Sequence, residues 1–232
     1  MNSRIEAAWS RLTYRKVPFL ILYEVALVAY LCFSPNSYQR QAIAGNAWFF
    51  ALSFLFLIPL AFFERRRGLP LPYVESMSLY DYFVAGGLCF IGLVLVLMVF
   101  RWLLVQGLFP FALTPLNPSN WFTVAWEFQF GIVEESFKMG MTNLFGLPAL
   151  WMRGKVARKV WVFFAGTISI VLWAYSHILT RAYFGPYALP SLMVAGVIGI
   201  VFLTVTIWKR NYLPAILVHG IYDVALALGY LH

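Results

Sequence analysis

Charge is scarce in this chain. Only 11% of its residues are Asp, Glu, Lys or Arg, where a soluble domain carries about a quarter. That shortage leaves too little polar surface for a water-soluble globule. It also excludes disorder and coiled coil, both of which are built from charged and polar residues. Acidic residues number nine and histidines three, so the groups able to do proton chemistry are few enough to inspect singly. The two cysteines, Cys32 and Cys89, lie within apolar runs, and no disulfide framework is expected. No HExxH sequence occurs and no cysteine stands near the histidines, so the familiar sequence pattern of a zinc protease is missing.

What the chain has instead is apolar surface: 62% of residues are hydrophobic and 19% aromatic, with a mean hydropathy of +0.78. Apolar stretches near 20 residues with few charges read as membrane-spanning helices. Seven are expected, at 17–34, 46–63, 82–105, 121–142, 160–180, 189–208 and 212–231. The fourth is the least regular, and a short amphipathic piece from Met139 to Trp151, broken near Gly146 and Pro148, is expected to follow it. The first run starts after sixteen residues, carries Glu24 and precedes no small-x-small site, so it does not read as a cleavable signal peptide. The expected fold class is all-α, a polytopic membrane helix bundle in one domain over 1–232.

Lysine and arginine set the orientation. Arg4, Arg11, Arg15 and Lys16 precede the first run, Arg65, Arg66 and Arg67 follow the second, Arg153, Lys155, Arg158 and Lys159 separate the fourth and fifth, and Lys209 and Arg210 separate the last two. The opposite loops hold only Arg40 and Arg181. Thirteen of the seventeen basic residues thus fall on one side, which puts the N-terminus in the cytoplasm and the C-terminus outside. The net charge of +8 is accounted for by topology and by anionic lipid, not by nucleic acid. Trp121, Trp151 and Trp161 fit interface anchors.

Ionisable residues inside spans are costly and are functional candidates by default. They are Glu24, Arg101, Glu127, Glu134, Glu135, Lys138, His177, His219 and Asp223, with Asp81 at a helix start. Glu134 and Glu135 are adjacent and point about 100° apart on a helix, so they are not expected to face one partner. Lys138 is within ion-pair reach of either and is expected to be a structural counter-ion. His219 and Asp223 share a helical face, so the aspartate is expected to hold the imidazole in one tautomer. Arg101 and Glu127 match in depth and are expected to pair; Glu24 receives no role. Carboxylates and imidazoles from three helices suffice to activate water and stabilise an oxyanion, as amide hydrolysis requires.

Three segments carry a resemblance: Ile132-Val-Glu-Glu-Ser-Phe-Lys-Met139, Trp173-Ala-Tyr-Ser-His177 and His219-Gly-Ile-Tyr-Asp223. They resemble, in order, the EExxxR, FxxxH and HxxxN/D motifs of the CPBP intramembrane proteases, a family that includes CAAX prenyl proteases and bacteriocin-processing (Abi-type) enzymes. The resemblance covers 120–232, a motif-bearing core, while 1–119 holds N-terminal helices without motifs. Two departures stand out. Met139 occupies the arginine position, with Lys138 one place earlier, and Trp173 replaces phenylalanine. Lysine is a single point charge where arginine offers a fork.

The resemblance implies a glutamic-type intramembrane endopeptidase without cofactor or metal. It implies Glu134 as general base with His177 as its partner, and His219 and Asp223 at the scissile carbonyl, His219 donating and Asp223 orienting it; Glu135 completes the implied catalytic set. The implied substrate is a membrane-anchored protein or peptide cut near its C-terminus or leader, in the plasma (inner) membrane of a prokaryote. Two other classes stand beside it: a zinc-dependent membrane protease, and a non-catalytic scaffold or bacteriocin-immunity protein of the same fold. Oligomeric state is not written in the sequence. Depth raises one difficulty, because His219 lies ~10 Å along its helix from Tyr212 whereas His177 lies ~25 Å from Val160. The two meet only if the fifth run protrudes or the helices tilt.

Overall fold

A computed structural model describes residues 16–33, 77–104, 121–179 and 188–228, with isolated positions 51 and 55. The expected second span, apart from positions 51 and 55, and the loops carrying Arg4, Arg40, Arg65 and Arg181 lie outside the described residues. Among those described the chain is helical, with no strand. The helices are α1 (Lys16–Phe33), α2 (Leu79–Leu104), α3 (Trp121–Gly146), α4 (Lys155–Leu179), α5 (Ala188–Lys209) and α6 (Leu213–Ala227). A 3-10 helix, Leu147–Trp151, joins α3 to α4. Pro148, which has no N–H to continue the α-helical ladder, sits in its first turn, so the break expected there occurs, and α3 runs four residues past its expected end at 142.

Among the described residues, three helices are long and apolar enough to cross a membrane: Leu79–Val99 within α2, Lys155–Tyr175 within α4 and Leu192–Lys209 within α5. Their outer faces expose large apolar side chains such as Tyr80, Phe83, Phe90, Met98, Val160 and Met193. Water would penalise such a surface and lipid would not, which marks a membrane protein. The long α3 differs. It carries Glu127, Glu134, Glu135 and Lys138, and from Gly131 to Ser136 every residue is buried. A helix this polar is tolerated only where other helices surround it.

The packing forms a closed circuit: α3 on α4, α4 on α5, α5 on α2, α2 on α6 and α6 back on α3, with α1 against α3. Two glycines permit one of these crossings, that of α3 and α6. A Cβ on Gly131 would come within 2.5 Å of Gly220 N, and one on Gly220 within 2.6 Å of the Phe128 ring. The α3 and α6 backbones therefore touch closely, as small residues allow between membrane helices. At the foot of the bundle Ser78 caps α2. Its Oγ accepts from Asp81 N at 3.0 Å and donates to Asp81 Oδ2 at 2.8 Å, while Lys209 Nζ at the end of α5 donates to Asp81 Oδ1 at 2.6 Å. This reciprocal cap satisfies an otherwise orphaned donor.

The turn between α5 and α6 is buried from Asn211 onward, while Arg210 is exposed. Tyr212 and Leu213 are buried in one apolar cluster with Ala149, Val162 and Met139. The α3–α4 elbow thus extends beyond the start of α6. α4 begins at Lys155, five residues before the expected 160, so its side chains ~27 Å along it reach the level of residues only ~9 Å along α6. Trp173 is the α4 residue at that level, against His219; the side chain of His177, to which the depth difficulty applies, is outside the described residues.

Candidate active site

Five of the sequence-selected groups meet in the circuit of helices. α3 brings Glu134, Glu135 and Lys138, all buried; α6 brings His219, also buried, and Asp223, half-buried. The close Gly131–Gly220 approach lies next to His219 in sequence and one turn from Glu135, so the same glycines that admit the helices to one another put the imidazole against the glutamates.

His219 is the hub. Its Nδ1 donates to Glu135 Oε1 at 2.7 Å. Its Nε2 lies 3.5 Å from Glu134 Oε2 and 3.6 Å from Asp223 Oδ2, longer than a direct N–H···O bond. The expectation that adjacent glutamates serve different partners is therefore corrected: both face one histidine. The physical reason is that imidazole carries its nitrogens on separate edges, so a ring placed between two diverging side chains meets one with each nitrogen. The expectation that Asp223 holds the ring is also modified. Glu135 makes the short bond to Nδ1, and Asp223 stands on the far nitrogen beside Glu134.

Lys138 pairs with Glu135 at helical spacing i, i+3, and both side chains are almost completely buried. The ammonium also lies 4.0 Å from the centroid of the Trp173 ring and 5.9 Å from that of Phe202, a cation–π arrangement. Trp173 Nε1 donates to Glu134 Oε2 at 3.0 Å, and Trp173 and Phe202 both meet His219 edgewise, with centroids 6.1 and 6.0 Å away. Ser169, one turn earlier on α4, donates to Lys138 O at 2.7 Å, and Thr142 donates to the same carbonyl at 2.6 Å. The Ser169 and Trp173 bonds cross from α4 to α3 and fix their register, while the Thr142 bond lies within α3.

Met139, the position of the motif arginine, is buried in the apolar cluster and does not face lipid. His177 lies on α4 one turn beyond Trp173, as Asp223 lies one turn beyond His219 on α6, and its side chain is outside the described residues. The side chains of Glu24 and Arg101 are outside them too, so the Arg101–Glu127 pair is not described. Glu127 is half-buried and shares the Glu134 face of α3 at i, i+7. Among the described residues no three His, Cys, Asp or Glu side chains are arranged to hold a metal ion.

Three residues at the site carry more than the sequence assigned them. The motif assigns Trp173 an aromatic body only, yet its indole N–H is a donor that in a buried site requires an acceptor. Gly131 and Gly220 are not among the motif charges; their signal is that small residues flank the buried charges on two motif-bearing helices. Comparison with family models, with curated proteins and with solved structures finds no match to the chain.

Proposed function

We propose that the protein is an intramembrane endopeptidase of glutamic type, similar in its chemistry to the CPBP proteases its motifs resemble. The observation that carries this is the convergence of Glu134, Glu135 and Asp223 on the single imidazole of His219, inside a bundle of apolar helices. In this scheme Glu134, held by Trp173, takes a proton from water as the water oxygen attacks the scissile carbonyl carbon. When the His219 ring is doubly protonated, Nδ1–H is committed to Glu135 and Nε2–H polarises the carbonyl oxygen. The proton on Glu134 then passes to the leaving amine nitrogen as the C–N bond breaks. His177 joins Glu134 in handling the water, the role its motif implies. No step requires a cofactor.

The full arrangement proposed is seven spans with the N-terminus inside, in the inner membrane of a prokaryote, acting on a membrane-anchored protein or peptide. The test compares precursor processing in cells carrying wild type or Glu134→Gln at equal membrane abundance. Loss of processing by at least about a hundredfold is expected, because removing a general base costs 10²–10⁴-fold. Undiminished processing in the variant sinks the protease assignment and favours a non-catalytic scaffold. Loss of wild-type activity to a chelator, restored by zinc, favours a metal hydrolase instead.

A further inference from the structure

We infer that Trp173 is the positioning residue of this site, one indole that fixes Glu134 through its N–H and clamps the Lys138 ammonium against its ring face. The inference deepens the protease assignment and rests on it for its catalytic part. Its geometry uses three chemically distinct surfaces of a single side chain. The ring N–H donates to Glu134 Oε2 at 3.0 Å, the face lies 4.0 Å below Lys138 Nζ, and the ring meets His219 at an interplanar angle of 89°. The backbone behind it is pinned, because Ser169, on the same face of α4, bonds Lys138 O across the helix pair.

The two departures from the resembled motifs thus meet in space. Phenylalanine at 173 would offer a face and an edge but no donor. Lysine at 138 is a point charge on a flexible stem, free to miss its carboxylate unless something restricts it. Tryptophan supplies both needs, since it is the best cation–π face and carries an N–H. With the ammonium held over the ring, its charge goes to Glu135, which in turn bonds His219 Nδ1. Trp173 therefore acts on both glutamates, on Glu134 directly and on Glu135 through Lys138. Met139 accordingly packs as an ordinary core residue.

The experiment uses the full chain in lipid nanodiscs and three readouts. Thermal unfolding of Lys138→Met, Trp173→Leu and the double variant is expected to be non-additive, the double variant unfolding no lower than the less stable single one; additive shifts overturn the clamp. The indole ¹⁵N–¹H resonance of Trp173, assigned by its disappearance in Trp173→Phe, is expected to move in Glu134→Gln; a resonance that stays put overturns the bond to Glu134. With a membrane-anchored peptide, Trp173→Phe keeps the face for Lys138 and loses the donor. Its kcat should fall roughly ten- to a hundredfold, the worth of a hydrogen bond to a charged group, with KM and unfolding temperature near wild type. A wild-type kcat per folded molecule, or a loss explained wholly by less folded protein, leaves Trp173 a packing residue and overturns its positioning role. Should the wild type cleave no peptide while the first two readouts come out as expected, the protease assignment fails and the Trp173 network stands.

Discussion

Lys138 exposes 2% of its surface and Glu135 1%, so neither charge is rescued by water. Removing one member of such a pair leaves the other uncompensated, at a typical cost of ~3–5 kcal/mol. Lys138→Ala should therefore cut the folded, membrane-inserted yield sharply, measured as monodisperse protein after mild detergent extraction; a yield equal to wild type would show that the ammonium does not neutralise Glu135. Met139→Arg restores the motif letter but forces a guanidinium among Ile132, Val162 and Leu213, where it has no counter-charge to spare because Glu135 is already taken. It should destabilise by several times the cost of Met139→Leu, which conserves volume and should stay below about 1.5 kcal/mol. Comparing the two unfolding midpoints checks this.

At the scale of helices, the tight crossing of α3 and α6 is the feature on which the site depends. A methyl group at Gly131 would meet Gly220 backbone atoms at 2.5 and 2.8 Å, and backbone cannot rotate away as a side chain can. Gly131→Ala should separate the helices, cost roughly 1–3 kcal/mol as overpacking does, and lengthen the Glu135–His219 bond. Gly86→Ala on α2 is the matched control. Nothing lies within 4 Å of its Cβ, so the lower backbone entropy of alanine should make it neutral or stabilising by about 0.5–1 kcal/mol. Arg210 is the reverse case. It closes α5 at φ 53°, with Asn211 N bonding back to Thr206 O at 3.2 Å, the six-to-one bond of a Schellman cap. Glycine adopts that left-handed conformation without a Cβ penalty, and Arg210→Gly should raise the unfolding midpoint by the equivalent of ~1 kcal/mol.

For the molecule as a whole, the closed circuit of α2 to α6 buries a polar site inside a body whose outer surface is apolar. Each backbone in the bundle satisfies itself as a helix, so the few charges can be concentrated on α3 and α6 without exposing polar groups to lipid. The asymmetric placement of thirteen basic residues then argues for an inside N-terminus and an odd number of spans. A reporter that is active only outside the cytoplasm should work when fused after His232. Activity confined to a cytoplasm-dependent reporter at the same junction would reverse the orientation.

Helicity, the apolar character of the spans and the break at Gly146–Pro148 were legible because they depend on residues within a turn or two of each other. The Lys138–Glu135 pair and the shared face of His219 and Asp223 were legible for the same reason, being set by helical spacing alone. Which nitrogen of His219 meets which carboxylate was not, because it depends on where α6 crosses α3, and that crossing is decided by two glycines 89 residues apart whose contact no local pattern announces. The depth of α4 relative to α6 was likewise hidden, since spans counted from loop charges carry no information on how far a neighbouring elbow extends below them. Trp173 shows the division most clearly. Its place four residues before His177 is sequence, but its N–H on Glu134 and its ring under Lys138 exist only because packing brings two helices together at that height.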